Sequence, residues 1–267
     1  MDSLAHYFAE KLMYVVYPQR WWALLLYFLI SLYQNVIWVC FSIVVTQTQI
    51  YFNVNAAQVN FLAAMGALIY CPIVFFSASL IEKFGLRKII VATSCLEMVG
   101  CSLRVLSMRR FGNLGWTAIV IGQFINGLAG PAAMMVPTVL SAEFFSVNER
   151  ILSTTIACTA QPLGTSIAFL TTPMIVKAAT DIPNMLWIHH IIGVLLFLAT
   201  IFTFPVSPPT PPTRSSQMQR EVKASGGNDQ KLLKQILSLF SSCPFVSICM
   251  SWGVGLGILS GKKFNVL

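Results

Sequence analysis

The sequence predicts an all-α integral membrane protein, a six-helix bundle followed by an incomplete seventh helix. Three observations lead there. Hydrophobic residues fill 56% of the 267 positions and charged residues only 10%, against about 25% charged in a soluble domain, and mean hydropathy is +0.74. Apolar runs follow one another, each near the ~20 residues that a bilayer core requires. The lysines and arginines behind the net charge of +8 fall mainly between those runs. There they act as topology signals, and nucleic-acid binding is not supported.

Residues 1–20 form a cytosolic or interfacial segment. Leu4, Tyr7, Phe8, Leu12, Val15 and Val16 recur at helical spacing, with Glu10 and Lys11 on the other side. Two readings stand, a helix lying in the interface and a frayed terminus. A signal peptide is excluded, because the next apolar run is too long and lacks a cleavage site. The bundle, residues 21–204, then holds the runs Trp21–Val45, Ala57–Ile81, Ile89–Leu106, Trp116–Leu140, Ile151–Val176 and Met185–Phe204. With a cytosolic N-terminus, eleven cations lie inside (Lys11, Arg20, Lys83, Arg87, Lys88, Arg150, Arg214, Arg220, Lys223, Lys231, Lys234) and four outside (Arg104, Arg109, Arg110, Lys177), which fits the positive-inside rule.

Residues 205–235 are first proline-rich and then polar, a composition that cannot bury a core and is expected to be an extended or disordered cytosolic spacer. Residues 236–267 hold the seventh run, Phe245–Leu259, and a short tail from Gly261. At 15 residues that run is shorter than a span, so a truncated product is expected. The seven cysteines show no CxxC spacing and sit in or beside apolar segments. They read as small buried hydrophobes, implying no disulfide framework, metal site or cofactor. No nucleophile–base arrangement or nucleotide loop supports an enzyme.

The stretch Gln123–Arg150 organises the chain. It follows Gly122, is dense in small residues (Gly127, Ala129, Gly130, Ala132, Ala133), carries Asn126, Pro131 and Pro137, and ends in Glu149-Arg150. Small residues let membrane helices approach closely, and amides bond across them. Prolines survive where neighbouring helices or a wet cavity satisfy the freed carbonyls. This helix belongs inside the bundle.

After the second run comes Ala78-Ser79-Leu80-Ile81-Glu82-Lys83-Phe84-Gly85-Leu86-Arg87-Lys88, an acid, a glycine and cations at a helix end. The loop resembles the cytosolic signature loop of the major facilitator superfamily, with Ala78 for the usual glycine, Glu82 for the aspartate and Leu86 for the first arginine. Asn126-Gly127-Leu128-Ala129-Gly130-Pro131, Phe144-Phe145-Ser146, Glu149-Arg150, Leu163-Gly164, Ala168-Phe169-Leu170 and the exit at Phe204-Pro205 resemble one branch of it. That branch is solute carrier family 49, the feline leukaemia virus subgroup C receptor family, and the resemblance covers its N-terminal half plus the start of the next.

The resemblance implies a secondary transporter working by alternating access, with a small amine or vitamin B6-like solute and possible proton coupling as partners besides the lipid bilayer. It implies a lysosomal membrane, with the plasma membrane as the alternative. A solute of that kind needs an aromatic wall and a few uncharged hydrogen-bonding groups. Gln34 and Trp38 share one helix face with Asn35 adjoining, and Asn126 and Gln161 complete the candidate cavity lining. The alternative for these amides is interhelical glue. Choline-carrying members place a glutamine where this chain has Pro162, one residue after Gln161. The gate loop comprises Glu82, Lys83, Gly85, Arg87 and Lys88, with Glu149 and Arg150 on the same face as a latch. Glu97, His189 and His190 are ionisable groups within spans, which by default suggest an ion pathway. The alternatives are structural pairing, of Glu97 with Arg104 among others, and an Arg104 that snorkels to the outer interface. A second hypothesis is a non-transporting half-carrier that pairs with or regulates full-length carriers.

Overall fold

The computed structural model describes residues 17–108, 113–206, 208, 210, 212–213, 217, 238 and 241–264. The proposed interfacial helix, the Arg109-Arg110 pair and most of the polar linker lie outside the described residues. The chain divides into two units, Met1–Gln219 and Arg220–Leu267.

The first unit is a bundle of helices. They are α1 (Gln19–Ile43), the short α2 (Val45–Phe52), α3 (Ala56–Phe84), α4 (Leu86–Leu106), α5 (Asn113–Phe144), α6 (Arg150–Ile175) and α7 (Ile182–Thr203), with single 3-10 turns before α6 and α7. The six expected runs thus fall in α1 and α3 to α7. Among the described residues five segments are long and apolar enough to cross a membrane: Gln19–Ile43, Ala56–Val74, Leu86–Leu106, Gly115–Phe144 and Ala179–Thr203. Helix α6 has the length, 26 residues, but carries many hydroxyls. Most of these are satisfied within their own helix, as in Thr155 to the Ile151 carbonyl (2.8 Å), Ser166 to Pro162 (3.0 Å) and Thr171 to Ile167 (2.8 Å), while Thr154 donates to Ser141 of α5 (2.7 Å). A polar helix of this kind presents few open donors to lipid.

Local chemistry sets the helix ends. Asn55 caps α3 in a reciprocal box, its Oδ1 accepting from the Gln58 amide (2.8 Å) while Gln58 Oε1 accepts from the Asn55 amide (2.9 Å). Gly85 joins α3 to α4 at φ 82° and ψ 158°, its amide donating to the Ile81 carbonyl. That backbone region is essentially reserved for glycine, and a methyl there would meet nothing within 4 Å, so backbone conformation and not space requires the glycine.

Glycines also set the closest crossings. A methyl on Gly100 of α4 would lie 2.8 Å from the Gly122 carbonyl oxygen of α5, and one on Gly122 would lie 2.7 Å from the Gly100 carbonyl oxygen. A methyl on Gly164 of α6 would lie 2.2 Å from the Leu32 carbonyl oxygen of α1. Backbones that approach this closely gain dispersion along the whole crossing, the main attraction between helices in lipid.

Among the described residues two large apolar cores result, with a small one of Tyr33, Ile37 and Cys101 beside them. The first gathers Leu24, Tyr27 and Ile30 of α1 with Ile81, Ile90, Leu140, Phe145 and Phe204. The second gathers Cys40, Phe41 and Val44 with Val59, Leu62, Ile119, Ile182 and Met185. Between them in chain order on α1, α4, α5 and α7 lie buried polar side chains: Ser31, Gln34, Glu97, Arg104, Gln123, Asn126 and His189. Outward positions such as Leu68, Phe76, Phe169, Leu170, Leu195 and Phe202 are exposed. That surface suits lipid and would drive association in water.

The proline-rich exit departs from expectation. Phe204, Pro208, Pro212 and Thr213 are buried, the Tyr17 hydroxyl lies 3.2 Å from Thr210 Oγ1, and Arg150 donates to Thr213 Oγ1 at 2.7 Å. Its first residues therefore pack on the bundle as a strap. Proline rigidity makes this cheap in entropy, because little freedom is lost on ordering.

In the second unit, α8 runs Cys243–Phe264, 22 residues, or about 33 Å at 1.5 Å per residue. The seventh helix is longer than the 15-residue run because Cys243 and Pro244 extend its first turn and Ser260 to Phe264 continue it. Proline is well placed in a first turn, where its missing amide has no partner to lose.

Candidate functional site

Gln34 and Trp38 lie on one face of α1 opposite glycines. The Trp38 indole fills a notch in which a methyl on Gly66 of α3 would come within 2.0 Å of its Cζ2, and one on Gly127 of α5 within 3.4 Å of its Cζ3. Gln34 is buried and faces Gly130, where a methyl would lie 3.4 Å from Gln34 Nε2. Among the described residues its Oε1 has no hydrogen-bond partner. Asn35 is half-buried and donates to the Ser31 carbonyl (3.4 Å). Gln161 is half-buried on α6, and its main-chain carbonyl accepts from Thr165 (3.2 Å). A half-buried indole beside an unsatisfied buried amide gives an aromatic surface and a free hydrogen-bonding group in one place.

Asn126 lies elsewhere. It is fully buried, and with its amide oriented to suit its neighbours it donates to the Glu97 main-chain carbonyl (3.2 Å) and accepts from Arg104 (2.9 Å). Arg104 is 1% exposed and turned inward, which corrects the snorkelling expectation. It donates to the Ile37 carbonyl (3.0 Å) and to Gln123 Oε1, and stacks over Phe41 at 5.4 Å. The expected pairing with Glu97 is also overturned. Seven residues separate them, about 10 Å along the helix, and among the described residues neither Glu97 carboxylate oxygen has a hydrogen-bond partner. His189 is buried, its Nδ1 has no hydrogen-bond partner among the described residues, and its carbonyl accepts from the Tyr33 hydroxyl. His190 is half-buried, with Nδ1 3.3 Å from Ser102 Oγ and its ring at the edge of Trp187.

Beside the α5–α6 turn Glu149 pairs with Arg20 (2.9 Å) and accepts from Ser146 (3.0 Å), and Arg20 lies over the Trp21 and Phe145 rings at 5.7 Å each. Arg150 donates to the Ala142 carbonyl (3.3 Å) and to Thr213. The α5–α6 turn is thus tied to α1 and to the strap, while in the loop Glu82, Lys83 and Lys88 are exposed and Arg87 donates to the Ile201 carbonyl (3.4 Å). Sequence reasoning gave no role to Gln123, Gly66 or the Tyr17–Thr210 contact. Gln123 carried a signal, an amide in an apolar helix three residues before Asn126 and so on the same face. Tyr17–Thr210 carried none, since the partners are 193 positions apart.

A cleft of about 320 Å³ lined by Trp21, Leu24, Leu25, Phe28 and Ile156 is wholly apolar in side-chain character and offers nothing to orient a polar solute. Among the described residues no three His, Cys, Asp or Glu side chains come together to hold a metal ion.

A model of the Major Facilitator Superfamily matches residues 23–262. The chain belongs to the Major Facilitator Superfamily. It is similar to solute carrier family 49 member A3 of Xenopus tropicalis, 27% identical over 257 residues, covering 94% of this chain and 52% of the relative. The solute carrier family 49 member 4 homolog of Xenopus tropicalis is 26% identical over 263 residues, covering 92% and 55%. The choline/ethanolamine transporter FLVCR2 of Homo sapiens is 26% identical over 256 residues, covering 93% and 48%. The chain spans about half the length of these relatives. Its fold is similar to a crystal structure of a D-xylose–proton symporter, with a TM-score of 0.54 and 20% identity over 76% of this chain and 51% of that one. This Major Facilitator chain is therefore a multi-pass integral membrane protein from a family of transporters, not enzymes.

Proposed function

We propose that this chain forms the N-terminal wall of a secondary transporter for small organic solutes, a small amine or a vitamin B6-like ring, working by alternating access. The observation that carries the reading is the Trp38 indole set in the Gly66 and Gly127 notch one turn from the unsatisfied Gln34 amide. A cation over a desolvated indole gains about 2 kcal/mol and a stacked aromatic ring about 0.5–1.5 kcal/mol, and the amide supplies direction. Asn35 and Gln161, both half-buried, extend the lining. The names of the choline/ethanolamine relatives support the amine reading. Glu97, His189 and His190 are the candidates for proton coupling. The Gly85 loop and the Glu149-Arg150 turn are the cytosolic gate elements. A lysosomal membrane is proposed by resemblance, with the plasma membrane as the alternative.

One bundle supplies one wall of a two-walled cavity. The second wall comes from a second bundle, either in the same protein or in a full-length carrier to which a half-carrier binds. Proteoliposomes holding this chain alone are expected to show no proton-driven uptake of choline, ethanolamine or pyridoxine. Saturable uptake by the chain alone would overturn the two-wall requirement. Uptake that appears only with a full-length carrier, and scales with this chain, would favour the half-carrier reading.

A further inference from the structure

We infer that Arg104, Gln123 and Asn126 form a positioning cluster that fixes the Trp38-bearing turn of α1, an inference that rests on the reading of Trp38 as a solute-facing wall. Arg104 Nη1 donates to the Ile37 carbonyl at 3.0 Å, and Gln123 Nε2 donates to the Trp38 carbonyl at 3.4 Å. The other arm of Arg104 reaches Gln123 Oε1 and the Asn126 amide oxygen, so one guanidinium joins both anchors. Helical carbonyls keep a second lone pair after accepting the bond from four residues on, and these two receive side-chain donors from α4 and α5.

Two consecutive residues of a helix point about 100° apart around its axis. Anchors at Ile37 and Trp38 therefore fix the rotation of α1 as well as its distance from α4 and α5. Phe41, on the face of the same guanidinium, adds a third contact one turn later, just before α1 ends at Ile43. Asn126 closes the cluster by donating to the Glu97 main-chain carbonyl, where Gly100 and Gly122 bring α4 and α5 into backbone contact. The planar, forked guanidinium suits this work better than an ammonium, because its donors have fixed directions.

Incorporating 5-fluorotryptophan into the full chain gives a fluorine resonance for Trp38, assigned by its loss in Trp38→Phe. Arg104→Met and Gln123→Leu are each expected to shift that resonance by more than its linewidth while the Trp187 resonance and the helix content stay unchanged. Arg104→Lys, which keeps the charge and loses the fork, is expected to leave it displaced. A wild-type Trp38 resonance in folded Arg104→Met would overturn the inference. Should Arg104→Met fail to fold, Gln123→Leu, which spares the Arg104–Ile37 bond, decides in the same way. The spectrum is read without solute, so the positioning claim can fail while Trp38-dependent uptake stands, and uptake can prove independent of Trp38 while the positioning holds.

Discussion

Replacing Gly66 by alanine tests the notch that holds Trp38. The added methyl would lie 2.0 Å from Trp38 Cζ2, 2.7 Å from Cη2 and 2.8 Å from Cε2, where ordinary carbon contacts are about 3.5 to 4.0 Å. Either α3 moves away from α1 or the indole leaves its position. Overpacking of this kind costs about 1–3 kcal/mol. At about 2 kcal/mol a bundle of this size would lose roughly 4–8 °C of melting temperature, readable by thermal unfolding in detergent. The cause is one side chain, so a Trp38→Ala background removes the obstacle, and there Gly66→Ala should cost less than about 0.5 kcal/mol. The coupling between two contacting residues then equals most of the single-mutant effect. An equal loss in both backgrounds, or none in the wild-type one, would refute the notch.

Gly164→Ala should be worse and not rescuable, because its methyl meets the Leu32 carbonyl oxygen at 2.2 Å and main chain cannot rotate aside; melting should fall even in a Leu32→Ala background. Arg20→Ala and Glu149→Ala should each cost about 0.2–1 kcal/mol, since the pair is partly exposed at 17% and 32%, and a double-mutant cycle on melting should show the coupling shrink with added salt. Thr213→Val and Tyr17→Phe should each loosen the strap and speed cleavage near residues 205–213 by a protease added to the detergent-solubilised protein. Unchanged cleavage would mean that the buried prolines alone hold it.

The bundle was legible because a bilayer allows few solutions. Six apolar runs of spanning length were enough for element type and order, and the small residues of the fourth run marked the helix that others approach. Gln34 and Trp38 could be paired because four-residue spacing fixes a common face. The partners of that face were not legible: Gly66 is one small residue in an apolar run, and its notch exists only once α3 lies against α1. Arg104 misled for a related reason. An arginine near a span end suits snorkelling, and only the crossing at Gly100 and Gly122 turns it toward Gln123 and Asn126. Glu149 was placed on the right turn, but its cation, Arg20, lies 129 positions away. The strap was unreadable because composition describes the freedom of an isolated segment and not the surface it meets.

The central claim is that Trp38 and Gln34 line the path of a small solute. Its most direct test is saturable uptake of tritiated choline, ethanolamine and pyridoxine into cells expressing the protein together with a full-length carrier, for wild type, Trp38→Ala and Gln34→Ala. Losing about 2 kcal/mol of ring contact corresponds to a fall in kcat/KM of roughly 30-fold, so Trp38→Ala should lose that much for one solute while surface expression is unchanged, with Gln34→Ala losing less. Uptake that is saturable and depends on this chain, yet is indifferent to both substitutions, would contradict the account.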